Sequence, residues 1–183
     1  MKKFTLYILT AFGLMGLATS CNDFGDVNND PMNLNPGVVD YKMEFTQVEA
    51  QICGSDWDVW RNGCIYTANM IQHTASVDWA YGVFYTWNDQ YSGAYWGGFY
   101  SGGRAAIRNI IDVMNNWEGN PAYANEYQMC RILKAYMFQN MTDLYGDVPY
   151  SEAGQGYSTN PIPYPKYDTQ EAIYNDLLKE LDE

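Results

Sequence analysis

The chain has 183 residues, with 22 Asp and Glu against 10 Lys and Arg, for a formal net charge of −12 at pH 7. That balance is poorly suited to nucleic acid, whose binding rests on neutralising phosphates with Lys and Arg, and an anionic lipid surface would repel it. His73 is the single histidine and no HExxH or CxxC spacing occurs, so the sequence points to no metal site and no cofactor, and His73 reads as structural.

At the N-terminus Lys2 and Lys3 precede an almost uncharged run from Phe4 to Ala18, and Ala18, Thr19 and Ser20 lead into Cys21. A spanning helix needs about 20 apolar residues. This run is shorter, and its order of basic, apolar and small residues is that of a secretory signal peptide over residues 1–20. A cysteine directly after the small residues resembles a bacterial lipobox, in which the thiol takes a diacylglyceryl group and the cysteine becomes the acylated N-terminus. Ala18 stands where leucine is commonest in that motif. A plain signal peptide followed by a chance cysteine is the alternative. Several acyl chains on Cys21 would hold the protein at a membrane without a spanning helix, because each buried CH₂ contributes about 0.8 kcal/mol. Loss of residues 1–20 removes only Lys2 and Lys3 among the charged residues and leaves 8 basic against 22 acidic, a net charge of −14. Residues 21–37, rich in Asn, Asp and Pro, read as a tether.

The remaining residues, enough for one core, carry helical periodicity. Residues 39–53 place Tyr41, Phe45, Val48 and Ile52 on one stripe, and Gly54 stops the helix. Residues 57–75 predict a second helix capped by Ser55 or Asp56, with a stripe through Val59 or Trp60, Gly63 or Cys64, Thr67 and Met70 or Ile71. Residues 76–93 are irregular and aromatic. A helix resumes near Tyr95 and carries Ile107, Ile110, Ile111 and Met114, its first half weakened by glycines. The next runs from about Pro121 to Tyr145 with Met129, Cys130, Leu133, Met137, Met141 and Leu144 on one face. Ile132 and Tyr136 lie elsewhere, so this helix is expected to pack on two sides, with Leu133, Met137 and Met141 buried. Gly146 fits a terminating position of positive φ. A Pro/Gly/Ser loop follows, and a last helix opens at Asp168 or Thr169 with Ile173, Leu177 or Leu178, and Leu181 inward. Helices joined by short turns suggest helical hairpins, and the uncapped stop at Glu183 suggests a piece of a longer protein. Cys53, Cys64 and Cys130 read as buried free thiols, with a Cys53–Cys64 loop closure as the alternative.

The segments "ILKAYMFQNMTDLYGDVPYSEAGQG" (132–156) and "PKYDTQEAIYNDLLKELDE" (165–183), with "FGDVNNDP" and "WGGFYSGGRAAIRNI", resemble the SusD/RagB-type nutrient-binding outer-membrane lipoproteins, close to the SusD-like starch-binding branch. The residues that carry the resemblance include Asp143, Gly146, Asp147, Pro149, Tyr150, Tyr167 and Ile173. The resemblance implies a mainly α fold, tetratricopeptide-like helical hairpins with long irregular loops, of which residues 38–183 form the N-terminal part. It implies a lipid-anchored cell-surface protein that sits over a SusC-type TonB-dependent outer-membrane transporter, captures oligosaccharides or other nutrients, and performs no catalysis. A secreted glycan-active hydrolase and a lipid-anchored helical adaptor are the alternatives.

Residues 79–100 hold ten aromatics. Aromatic rings stack on the apolar faces of sugars, whereas Trp96 and Tyr100, in the family's helical segment, read as core. Trp79, Tyr81 and Tyr85, in the irregular stretch, are the candidate ligand contacts, with core packing as the alternative for each. Asp143 and Asp147, four residues apart, read as groups at a helix terminus rather than as a catalytic pair, for which a defined separation across a scissile bond would be needed.

Overall fold

The computed structural model describes residues 40–101, 104–156 and 160–182; the expected leader, Cys21 and the tether lie outside them. The described residues are mainly helical, as the resemblance implied. Asp40 opens them by accepting the Lys42 N–H at 3.0 Å, which caps α1, Tyr41–Gln51. Phe45 and Val48 are buried and Tyr41 and Ile52 pack at the edge of the core, so the expected stripe is the inward face.

The second predicted helix forms, but not as an ordinary one. Ser55 and Asp58 make a capping box at the start of α2, Asp56–Asp58, and the chain then passes into a π-helix, π1, Val59–Thr67, before the short α3, Ala68–Met70. Its buried residues are Asp58, Asn62, Ile65, Tyr66 and Asn69, whereas Val59 and Met70 of the expected stripe are exposed. The i→i+5 bonding widens each turn, and three polar side chains turn inward because each finds partners there.

A short α4, Asp89–Ser92, leads through Gly93 into the next helix, and the single helix expected from Tyr95 onward is two: α5, Ala94–Tyr100, and α6, Ala106–Trp117. Between α5 and α6, Ser101 is extended and Ala105 is left-handed at φ 35°. In α6, Ile107, Ile110, Val113 and Trp117 are buried, with Ile111 and Met114 at the edge.

A 3₁₀ turn, Pro121–Tyr123, capped by Asn120, precedes α7, Ala124–Tyr145. α7 packs against α6 and also against α8, Gln170–Asp182, so it is two-sided as expected, and α1 lies on α6. Met137 and Met141 are fully buried, Leu133 is half-buried, and Met129 and Leu144 are exposed, their places in the core taken by Ala135, Phe138 and Thr142. Gly146 ends α7 at φ 76°, its N–H bonded to the Thr142 carbonyl at 2.8 Å.

Beyond it, β1 (Val148–Pro149) pairs antiparallel with β2 (Tyr167–Asp168), Val148 opposite Asp168 and Pro149 opposite Tyr167. Asp168 is thus a strand residue rather than a helix cap. Its carboxylate accepts from the Ser151 N–H at 2.7 Å and Oγ at 2.8 Å, and Thr169 receives the Ala172 N–H in its place. In α8 Ile173 and Leu177 are buried, while Leu178 and Leu181 line an apolar groove of about 310 Å³ beside Ile132 and Tyr136 of α7.

Cys53, Cys64 and Cys130 are free, but only Cys130 is buried, which pushes its thiol up to about 12; the expectation of burial fails for the other two.

Candidate functional site

The irregular stretch 71–88 is held against π1. Gly82 donates to the Ile65 carbonyl at 3.2 Å. A Cβ there would lie 2.5 Å from that oxygen and 2.7 Å from the Tyr66 oxygen, so only glycine allows the approach. Tyr66 Oη donates to the Thr86 and Asn88 carbonyls at 3.3 and 3.4 Å, Tyr85 Oη to the Met70 carbonyl at 3.0 Å, and Thr74 Oγ1 to Asn69 Oδ1 at 2.8 Å. Within this frame three non-glycine residues, Gln72, Trp79 and Tyr85, adopt positive φ of 61°, 51° and 52°. Each costs on the order of 1–3 kcal/mol and persists only where surrounding contacts impose it. Such residues and π-helical turns both concentrate at functional sites, and here they adjoin.

Of the three sequence candidates, Trp79 and Tyr85 are exposed, at 51% and 63%. Tyr81 is half-buried, its ring stacked on Tyr66 at 6.3 Å and tilted on Tyr91 at 5.4 Å. Trp79 stands edge-on to Trp60 at 5.2 Å, and Trp60 meets Trp57 and Tyr91 at 5.4 and 6.0 Å. The Arg61 guanidinium lies over the Trp57 and Tyr91 rings, 5.5 and 5.8 Å from their centroids. The loop and π1 therefore share one aromatic cluster with Trp57 and Trp79 at its exposed edge, while Phe84 and Trp87 extend from the same loop into solvent. Rings supported from behind by other rings keep their orientation while leaving a face to the solvent, which suits stacking on a flat apolar ligand surface. Sequence reading missed Trp57 and Trp60. Their signal was two tryptophans three apart at a helix start, of which Trp60 stood in the expected inward stripe.

The base of this face is fixed by an ion pair. Asp58 bonds the Arg104 guanidinium through both carboxylate oxygens, one bond being 3.1 Å, and also accepts the Ser55 N–H at 2.8 Å. Burial alone would raise the Asp58 pKa, but Arg104 and Ser55 together hold it below the ordinary carboxylate value.

Trp96 and Tyr100 pack against the core, and Tyr100 Oη donates to the Pro149 carbonyl at 2.6 Å. Asp143 accepts from Tyr174 Oη and Asp147 from the Gln170 N–H at 2.9 Å, both structural contacts tying α8 to the end of α7. His73 is exposed, and among the described residues no group of three or more His, Cys, Asp or Glu is placed to hold a metal. No described helix is long and apolar enough to cross a membrane.

A SusD-like family model, described as "Starch-binding associating with outer membrane", matches residues 38–183. Two solved structures are similar. One is named a chitin-binding protein, with 33% identity and a TM-score of 0.63 over 77% of this chain and 29% of its own. The other is described as Bacteroidetes AC2a SusD-like, with 30% identity and a TM-score of 0.63 over 79% of this chain and 26% of its own. The chain thus spans less than a third of the length of either. No curated protein matches.

Proposed function

The chain belongs to the SusD-like family, and on that premise we propose that the protein binds neutral oligosaccharides at the outer membrane and passes them to a SusC-type TonB-dependent transporter, without cleaving them. The family match supports the ligand class and the membrane association. The observation that carries the reading within the described residues is the exposed aromatic edge of Trp57 on α2 and Trp79 on the loop, with exposed Tyr85 on the same loop, where Trp79 and Tyr85 are both held at positive φ. Trp79 and Tyr85 stack on the sugar; half-buried Tyr81 backs Trp79 through Tyr91 and Trp60, and Tyr85 is held by its hydroxyl on the Met70 carbonyl. The excess of acidic residues favours neutral glycans over polyanions.

Calorimetry of the full-length protein against starch- and chitin-derived oligosaccharides, paired with product analysis, tests the reading. Trp79→Ala is expected to weaken binding about tenfold, in line with the loss of one stacking aromatic, and to lower stability by about 1 kcal/mol, because its ring is half exposed. Unchanged affinity would remove Trp79 from the site. Glycan cleavage would point to a hydrolase, and failure to bind any glycan with transporter association intact would point to an adaptor.

In the same reading residues 1–20 are a leader, Cys21 carries the lipid anchor, residues 21–37 are the tether, and residues 38–183 begin the helical domain. Cys21→Ala is expected to release the protein from the membrane fraction or leave it unprocessed. Unchanged membrane retention, with an unmodified N-terminal peptide by mass spectrometry, would refute the anchor.

A further inference from the structure

The groove of about 310 Å³ between α7 and α8 shares no residue with the aromatic cluster. One wall is Ile132, Tyr136 and Gln139 of α7, the other is Tyr174, Leu178 and Leu181 of α8, and none of the lining side chains is charged. Ile132, Tyr136, Leu178 and Leu181 are each between 45% and 66% exposed. α8 therefore has apolar residues beyond those it needs for the core: Ile173 and Leu177 are buried, and Leu178 and Leu181 are not. A helix that is apolar beyond the face it buries has a second packing partner. The two walls run antiparallel, since Arg131 Nε donates to Glu180 at 2.6 Å toward one end and Tyr174 Oη donates to Asp143 toward the other. From Leu181 to Tyr174 the groove is about 10 Å long, roughly two turns of helix.

The lining narrows what can sit there. A glycan is a poor occupant. The Tyr174 hydroxyl is already engaged with Asp143, which leaves Gln139 and the Tyr136 hydroxyl to replace the water that a sugar's hydroxyls would give up. A second copy of the chain is a poor occupant too, because α8 carries four acidic residues against Lys179 alone, and two such helices would repel at close range. The apolar face of another helix meets neither objection, and the space between two packed helices is where the ridge of a third seats. A source for that helix follows from the family. The stretch shared with this chain is less than a third of either solved relative, so a SusD-like chain has further residues to lay on this framework. Leu181 lies in the last turn of α8, where such residues would enter the groove.

We propose that the α7–α8 groove is closed in the full-length protein by an amphipathic helix from the segment that follows residue 183, whose apolar residues at i, i+3 or i+4, and i+7 seat between the two walls. α1 lies on α6, α6 on α7 and α7 on α8, and this helix continues the series by covering the face that α7 and α8 leave open. The inference rests on family membership and makes no use of the glycan reading.

The test uses the full-length protein. Hydroxyl-radical footprinting should find Tyr136, Leu178 and Leu181 protected. A photoreactive benzoylphenylalanine in place of Leu178 should cross-link to a peptide from beyond residue 183 of the same chain, located by mass spectrometry. Ile132 is open within residues 1–183, so truncating it there is nearly neutral. In the full-length protein Ile132→Ala should shift the unfolding equilibrium about tenfold or more toward the unfolded state. Should a variant fold poorly, footprinting of the unsubstituted protein still decides the matter. Ready oxidation of Tyr136, Leu178 and Leu181 would overturn the inference and leave the groove open. Cross-links between chains, or protection lost on dilution, would overturn it in favour of a second copy, and cross-links to residues 1–39 would overturn it in favour of the N-terminal segment. No arm reads glycan binding, so the glycan reading stands or falls separately.

Discussion

Met137→Ala is expected to destabilise the protein by about 2–5 kcal/mol. Met137 is fully buried on α7, the helix that packs against both α6 and α8, and it shares one hydrophobic cluster with Ile110, Phe138, Met141 and Ile173. Truncation removes the transfer free energy of the thioether chain and leaves a space that these neighbours fill only in part, since they come from several elements and cannot all move inward together. Ile132→Ala, one face away on the same helix and exposed, should change stability by under about 0.5 kcal/mol. Denaturant titrations of the two variants separate the cases. A change near zero for Met137→Ala would mean that α7 presents a different face to the core.

Asp58→Asn is expected to lower stability toward the bottom of the roughly 3–5 kcal/mol range typical of breaking a buried ion pair. The Arg104 guanidinium it leaves behind is 36% exposed and can rehydrate. The variant keeps the shape of the capping box but removes the charge that Arg104 meets across the break between α5 and α6. It should therefore loosen π1 and the loop upon it, and glycan affinity should fall along with stability. The effect depends on pH in a definite direction. The Asp58 pKa is depressed in the folded protein, below its ordinary value of 3.8. Its contribution is thus complete above that ordinary value and disappears as pH falls through the folded value. Glu44 and Asp112 act oppositely. Burial raises both, and Asp112 further raises Glu44, so acid relieves rather than removes what they do. The difference between the unsubstituted protein and Asp58→Asn should accordingly be constant from pH 5 to pH 7 and shrink at lower pH. A difference independent of pH down to pH 2 would show that the carboxylate charge is not what holds Arg104.

Where helices form was legible in the sequence because amphipathic periodicity is a local property. Phe45 with Val48, Ile107 with Ile110, Met137 with Met141, and Ile173 with Leu177 recur at helical spacing, and each pair is buried. Gly146 announced a terminus of positive φ for the same local reason. The aromatic run from Trp79 likewise drew attention to the loop, though it could not separate exposed Tyr85 from half-buried Tyr81, since the two side chains are chemically identical.

Only the tertiary structure decided the face of π1 and the shape of the site. Asp58, Asn62 and Asn69 stand outside the stripe expected of residues 57–75, and an unpartnered polar group is costly to bury. Asp58 is buried because Arg104 arrives 46 residues later, and Asn62 because Ser92 and Tyr145 arrive 30 and 83 residues later. The same holds for the left-handed residues of the loop, which nothing local favours and which persist because Gly82 and Tyr66 tie the loop to π1 and Tyr85 ties it to α3. Hydrophobic periodicity follows from each residue's own transfer free energy and so is written locally. The burial of polar groups depends on whether a partner is brought within bonding distance, and that is settled only when distant parts of the chain pack together.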